Sequence, residues 1–357
     1  MRRHFLGEEA LPRFVQARID AIRTIGRVAR EQQCAFVVVA GDVFEDNRLD
    51  RRTIVRSVEA LREIDLPVYL LPGNHDPLDA ATLFRPELFA DAPNVHLLLS
   101  TDPVEAAPGV DLIGAPWPSK RPRRDLVADA LAELEPAPDR IRILVGHGIV
   151  DSLSPDRDDP ERIRLATARA AIDDGRVQFI ALGDRHSPTE IAPRIWFSGA
   201  PEPTDFEEIN SGAALVVELS AEECRVEAQR IGHWSYHSLE RVLNSLAEVD
   251  EFSAELAALP GKETAIVRVA LQGALSLAAM ARLDDVMEQG ADRFAALFRW
   301  ERHTELVLLP DTVELDDLGL SGFARTAAAD LAAREGDADA AAALALLYRL
   351  ATGKNQA

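Results

Sequence analysis

FVVVAGD at 36–42, VYLLPGNH at 68–75, IRILVGH at 141–147 and FIALGDRH at 179–186 share one design: an apolar run stops at a glycine, and a side chain able to bind a metal follows at once. Buried strands of a parallel sheet read as continuous apolar runs and deliver functional groups at their carboxyl ends. Alone, any one of the four is an ordinary strand followed by a turn. Together they bring Asp42, Asn74, His75, His147, Asp184 and His186 to four strand ends, a concentration of oxygen and nitrogen donors that turns alone do not require. The glycines at 41, 73, 146 and 183 suit a chain that turns sharply beside an ion or a phosphate, where bulk is excluded.

The intervening sequence sets the layers. Helical periodicity occupies Arg51 to Glu63 and Asp125 to Glu135, with short additional strands at His96 to Ser100 and Val110 to Pro116. Strands alternating with helices predict an α/β sandwich whose strand ends gather on one side. The first part is expected to end near Gly232, so residues 1–232 form one domain. From 233 to 318 the pattern predicts a small α/β module: GHWSYHSLE opens as a helix, Thr264 to Leu271 and Thr304 to Leu309 are strands, and Leu275 to Phe298 is the helix between them. Residues 319–357 read as an alanine-rich helical tail, broken at Glu335-Gly336-Asp337. Its stripe of Leu344, Leu347, Tyr348 and Arg349 suits packing on its own domain or docking on a partner helix.

Composition bounds the function. The chain has 357 residues, 47% of them hydrophobic, enough for a core in each of two domains. Cys34 and Cys224 stand far apart without metal spacing, so neither a zinc ribbon nor a disulfide framework is expected, and the compartment is read as reducing and cytoplasmic. No apolar stretch reaches the length of about 18 residues that a membrane helix needs. The formal net charge is -21, which opposes broad nonspecific affinity for nucleic acid. Any such contact must be local, and the best local feature is Lys120, Arg121, Arg123 and Arg124 in SKRPRR at 119–124. A solvated surface loop explains the same residues equally well.

Asp, then Asn-His, then His, then a ligand pair two residues apart resembles the ligand order of the calcineurin-like metallophosphoesterase superfamily. A further stretch, WFSGAPEPTDFEEINSGAALVVEL at 196–219, resembles the segment that closes the catalytic domain in its SbcD-like DNA repair nucleases. On its residues alone that stretch is only a Gly/Pro turn between strands. The resemblance implies a metallophosphoesterase sandwich with a small capping domain and two divalent cations about 3.5–4 Å apart. Asp42 bridges them in that reading, Asn74, His147 and Asp184 complete one site, and His186 serves the other. It further implies phosphodiester hydrolysis on DNA in partnership with an SMC-like ATPase of the SbcC type, with a homodimer as a further assembly. His75, beside a ligand but not itself one, is the expected general acid, and Asp76 either orients it or caps the next turn. Arg185 faces either a phosphate or solvent.

Two departures from the family pattern stand out. Where the family carries Gly-His-x-His this chain has Gly-Asp-Arg-His, and Asp184 in place of histidine favours harder cations, Mn²⁺ first, with Mg²⁺ or Fe²⁺ also suited, over Zn²⁺. The family also begins with a strand bearing Asp-x-His or Asp-x-Gln, after which text much like RHFLGEE follows; here RHFLGEE stands at the start. Either about 10–15 further residues with one core strand precede Met1, or half of one metal site is absent, with His4 a poor substitute. The functional classes left open are a DNA nuclease, a phosphoesterase on nucleotides or phosphoproteins, and a noncatalytic scaffold.

Overall fold

A computed structural model describes residues 5–156, 158–309 and 321–334, with residues 339, 340, 343, 344 and 347. His4, Tyr348, Arg349 and the expected boundary at 318 lie outside the described residues. Two units separate at His233/Trp234, and residues 5–11, assigned to the first domain from sequence, cluster with the second. In chain order the first unit takes most of α1 (Ala10–Glu31), then β1 (Val37–Val39), α2 (Arg51–Arg62), β2 (Val68–Leu70), β3 (Val95–Leu97), β4 (Val104–Ala107), β5 (Val110–Gly114) and α3 (Leu126–Ala132). It continues through β6 (Ile141–His147), α4 (Leu165–Asp173), β7 (Phe179–Gly183), β8 (Thr189–Ala192), β9 (Ile195–Phe197), β10 (Ala213–Leu219) and β11 (Cys224–Arg230).

Strand alternation builds the sandwich. β1, β2 and β3 form a parallel three-stranded sheet, and a six-stranded sheet runs β4-β5-β6-β7-β9-β8, antiparallel only at its two outer pairs. Val38 and Tyr69 point one way and pack with Leu112, Ile143 and Val145 of the second sheet. Val39, Val68 and Leu70 point the other way, onto Leu61 of α2. The six-stranded sheet does the same in mirror fashion, laying Ile113, Leu144, Ile180 and Leu182 against Val127 and Leu131 of α3 and Ala168 of α4. Period-2 alternation with both faces apolar therefore yields helix, sheet, sheet, helix, the mixed α/β sandwich expected from the sequence. Asp50 caps α2 by accepting from Thr53 N at 3.0 Å. Residues 213–230 form the β10–β11 hairpin, on which Ala21, Ile25 and Val28 of α1 pack with Ala214, Val216 and Ile231.

The second unit holds β12 (Ser235–Val242), α5 (Leu246–Ala258), β13 (Ala265–Ser276), α6 (Leu277–Ala291), β14 (Ala296–Arg299), β15 (Glu305–Leu309) and α7 (Phe323–Ala332). Its four strands are all parallel about the central β13. Val267, Val269, Leu271 and Leu275 bury against Phe252 of α5 and Leu283 of α6. Two sequence expectations change here. Residues 235–242 are a strand, because eight residues in register with β13 outweigh a weak local helical pattern. The helix expected to run to Phe298 stops at Ala291, and the chain turns at Asp292 so that Leu297 packs back on Gly290 while β14 joins the sheet. Among the described residues no helix is long and apolar enough to cross a membrane.

Candidate metal centre

The two sheets offer their strand ends to one point. β1 runs three residues past Val39 to Asp42, and β2 runs four past Leu70 to Asn74, both from the three-stranded sheet. From the six-stranded sheet, His147 ends β6 in register with Gly183 of β7, and Asp184 follows directly. One ligand atom each from Asp42, His147 and Asp184 lies within 4.8 Å of the others. His147 Nε2 is 3.4 Å from Asp42 Oδ2, 3.7 Å from Asp184 Oδ1 and 3.1 Å from Asn74 Oδ1. Four of the five predicted ligands therefore converge. His186 is not part of this cluster among the described residues, and its Nδ1 faces Glu208 Oε1 at 2.8 Å and Thr204 Oγ1 at 2.7 Å.

Local backbone explains the convergence. Asp42 (φ 51°) and Asp184 (φ 96°) both occupy the left-handed region, which costs free energy for a side-chain-bearing residue and turns each carboxylate back toward the strand ends. A Cβ at Gly41, itself at φ 89°, would overlap the His147 ring, and one at Gly183 would overlap the Ala40 carbonyl. The His147 imidazole can sit between the sheets only because both positions are glycine. It does so with Nδ1 donating to Ala40 O at 2.8 Å, so that in the neutral imidazole Nε2 is the lone-pair nitrogen facing the carboxylates.

Charge is tightly coupled. Burial pushes the Asp42 carboxyl up, but the His147 hydrogen bond and charge, with the His75 amide at 3.0 Å, hold it below the ordinary range. Burial pulls the His147 imidazole down, and its Asp42 partner more than offsets this, raising it. Asp184 is raised, chiefly by burial. Asp76, fully buried, is pushed up to about 6 by burial against the opposing pull of two backbone amides. Those amides, Phe44 N at 2.8 Å and Gly73 N at 2.7 Å, decide its role: Asp76 ties the loop after β1 to the loop after β2, rather than orienting His75. The His75 ring is instead placed by Glu45, whose carbonyl lies 3.2 Å from Nδ1.

Two carboxylates, an amide oxygen and a lone-pair imidazole nitrogen aimed at one point are a donor set for a divalent cation, and the carboxylates favour a hard one. The remaining predicted residues are peripheral. Lys120, Arg121, Arg123 and Arg124 are all on the surface, with Arg124 Nε 3.3 Å from Asp129. Arg185 is exposed and donates to Thr189 Oγ1 at 2.9 Å. Sequence reading missed Trp117, which donates from Nε1 to His147 O at 2.8 Å while its backbone joins Pro72 and Leu78. It missed Glu208 and Thr204 as well, although both sit in the stretch at 196–219 already singled out as a turn.

Residues 15–188 match the profile of the family described as calcineurin-like phosphoesterase. Among solved structures, TT1561 of Thermus thermophilus is 11% identical with a TM-score of 0.40, the match covering 59% of this chain and 94% of that one. A second is 16% identical with a TM-score of 0.35, covering 60% and 95%. No functionally curated protein matches the chain.

Proposed function

We propose that the chain, whose residues 15–188 match the calcineurin-like phosphoesterase family, is a two-cation phosphodiesterase of the SbcD-like kind, acting on DNA with an SMC-like ATPase partner. The observation that carries the metal-dependent hydrolysis is the convergence of Asp42, Asn74, His147 and Asp184 from the ends of two sheets. Mn²⁺ is the cation the donor set favours. When bound, the cations supply Lewis acidity toward the phosphate and its attacking water. Asp42 would be shared between them, Asn74, His147 and Asp184 would hold one, and His186 would serve the other.

The remaining work falls to the chain. His75 is held through Nδ1 by Glu45 O, so Nε2 is free to face the substrate. As imidazolium it donates that proton to the leaving oxygen as the O–P bond breaks, and water supplies the new bond to phosphorus. The basic loop at 119–124 begins two residues after Trp117, whose indole holds the His147 carbonyl, and its positive charge supports a DNA backbone as the ligand there. The likeness of residues 196–219 to the closing segment of the SbcD-like nucleases supports DNA over a mononucleotide or a phosphoprotein.

Calorimetric Mn²⁺ titration and hydrolysis assays test this directly. Asp42→Ala abolishes tight Mn²⁺ binding; unchanged binding would remove the metal centre. His75→Ala leaves Mn²⁺ binding intact and lowers turnover on a DNA oligonucleotide by about 10²–10⁴-fold. The loss on bis(4-nitrophenyl) phosphate is much smaller, since its leaving group needs no proton. Equal losses on both substrates would exclude His75 as the acid.

A further inference from the structure

His186 differs from His147 in what holds it. His147 is locked by a backbone carbonyl in the core, whereas the His186 ring is half exposed and faces a side-chain carboxylate 22 residues away in sequence. That carboxylate is unusual in its own right. The Glu208 side chain is only 7% exposed and its two oxygens are fully engaged: Oε2 accepts from Thr204 N at 2.8 Å, and Oε1 from the Thr204 hydroxyl and from His186 Nδ1 at 2.8 Å. Thr204 thus fixes the carboxylate at two points, and its own Oγ1 also lies 2.7 Å from His186 Nδ1. Ser187, next to His186, anchors the same loop by accepting from Ile209 N at 2.9 Å. The loop 204–209 is bound to the strand end it serves on both sides of the contact. Nothing in the hydrolysis described above uses Glu208.

We propose that Glu208, fixed by Thr204, is a positioning residue that holds His186 with its proton on Nδ1 and so presents Nε2 to the second cation. The inference rests on the two-cation reading and deepens it. A metal-binding imidazole must offer an unprotonated nitrogen in a set direction, and the group on the far nitrogen decides both. An exposed ring with no such partner samples both tautomers and several rotamers, and each wrong state weakens the site. Here the partner also substitutes for burial, because His186 lacks the packing that orients His147. The loop 204–209 therefore belongs to the metal centre although it supplies no ligand.

The test uses the whole chain labelled with ¹⁵N-histidine and titrated with diamagnetic Zn²⁺, reading the ring nitrogens of His147 and His186 separately. In the wild type, metal-free His186 reports a proton on Nδ1, and Zn²⁺ shifts its Nε2. Glu208→Ala raises the Zn²⁺ concentration needed at His186 by about 10–100-fold, the usual effect of losing such a partner, while His147 titrates as before. Glu208→Gln, which preserves size and one acceptor oxygen, falls between the two and guards against misfolding of the alanine variant. An unchanged His186 titration in both variants, or Zn²⁺ bound through Nδ1, would overturn the proposal, as would a wild-type His186 that stays silent while His147 responds. Silence at His147 in the wild type would instead sink the metal centre itself.

Discussion

At the scale of single residues, the centre is built by absences as much as by ligands. Gly41 has no side chain where the His147 ring lies, and its left-handed backbone swings Asp42 toward the same ring. Gly41→Ala has to move the imidazole or the strand, and it strains a φ that alanine rarely adopts. A cost of at least about 1–2 kcal/mol, on the order of the left-handed penalty, is expected from the backbone alone. Thermal unfolding should show that loss, and calorimetry should show weakened Mn²⁺ binding together with it. A variant melting like the wild type with normal Mn²⁺ affinity would contradict the packing argument. Gly146 resembles Gly41 in sequence yet answers to a different constraint: a Cβ there would meet Val127 of α3, so it serves helix packing rather than the seat of the His147 ring. The pattern of apolar run, glycine and ligand was legible, but which glycine serves which neighbour was not, because a steric conflict exists only between segments that the fold has brought together.

At the scale of elements, one capping residue couples two helices. Asp125 caps α3 by accepting from Ala128 N at 2.9 Å, and its other oxygen accepts from Arg164 N at 2.7 Å, where Arg164 is the N-cap of α4. Both helices cover the outer face of the sheet that carries His147 and Asp184. Asp125→Ala strips two backbone donors of their acceptor at once, so a destabilisation of about 1–3 kcal/mol is expected, above that of an ordinary exposed cap. Denaturant unfolding measures it directly; a change within about 0.5 kcal/mol, as for an ordinary surface substitution, would mean that water replaces the carboxylate. Of the first unit, α4, β4, β8 and β11 were not singled out from sequence, whereas β1, β2, β3, β5, β6 and β7 with α2 and α3 were readable because each carries its own periodicity. β12 and β14 were not, since both take their conformation from pairing with β13.

For the whole molecule, a net charge of -21 makes any DNA binding depend on where exposed cations cluster. Replacing Lys120, Arg121 and Arg123 with serine should weaken binding to a DNA oligonucleotide while Mn²⁺-dependent hydrolysis of bis(4-nitrophenyl) phosphate stays at the wild-type rate. Every phosphate-binding cation removed should flatten the slope of log K against log salt by about 0.9 on duplex DNA. An unchanged slope would return the loop to solvent. By itself the sequence determined the α/β class, the parallel strands and the identities of Asp42, Asn74, His147 and Asp184, because apolar period and donor chemistry are local properties of the chain. Only the tertiary structure decided that Asp76 ties two loops, that Trp117 braces His147, and that Glu208 meets His186 across 22 residues. Each of these is a hydrogen bond formed where the fold, not the local pattern, brings two groups together, and no periodicity within either segment encodes its partner.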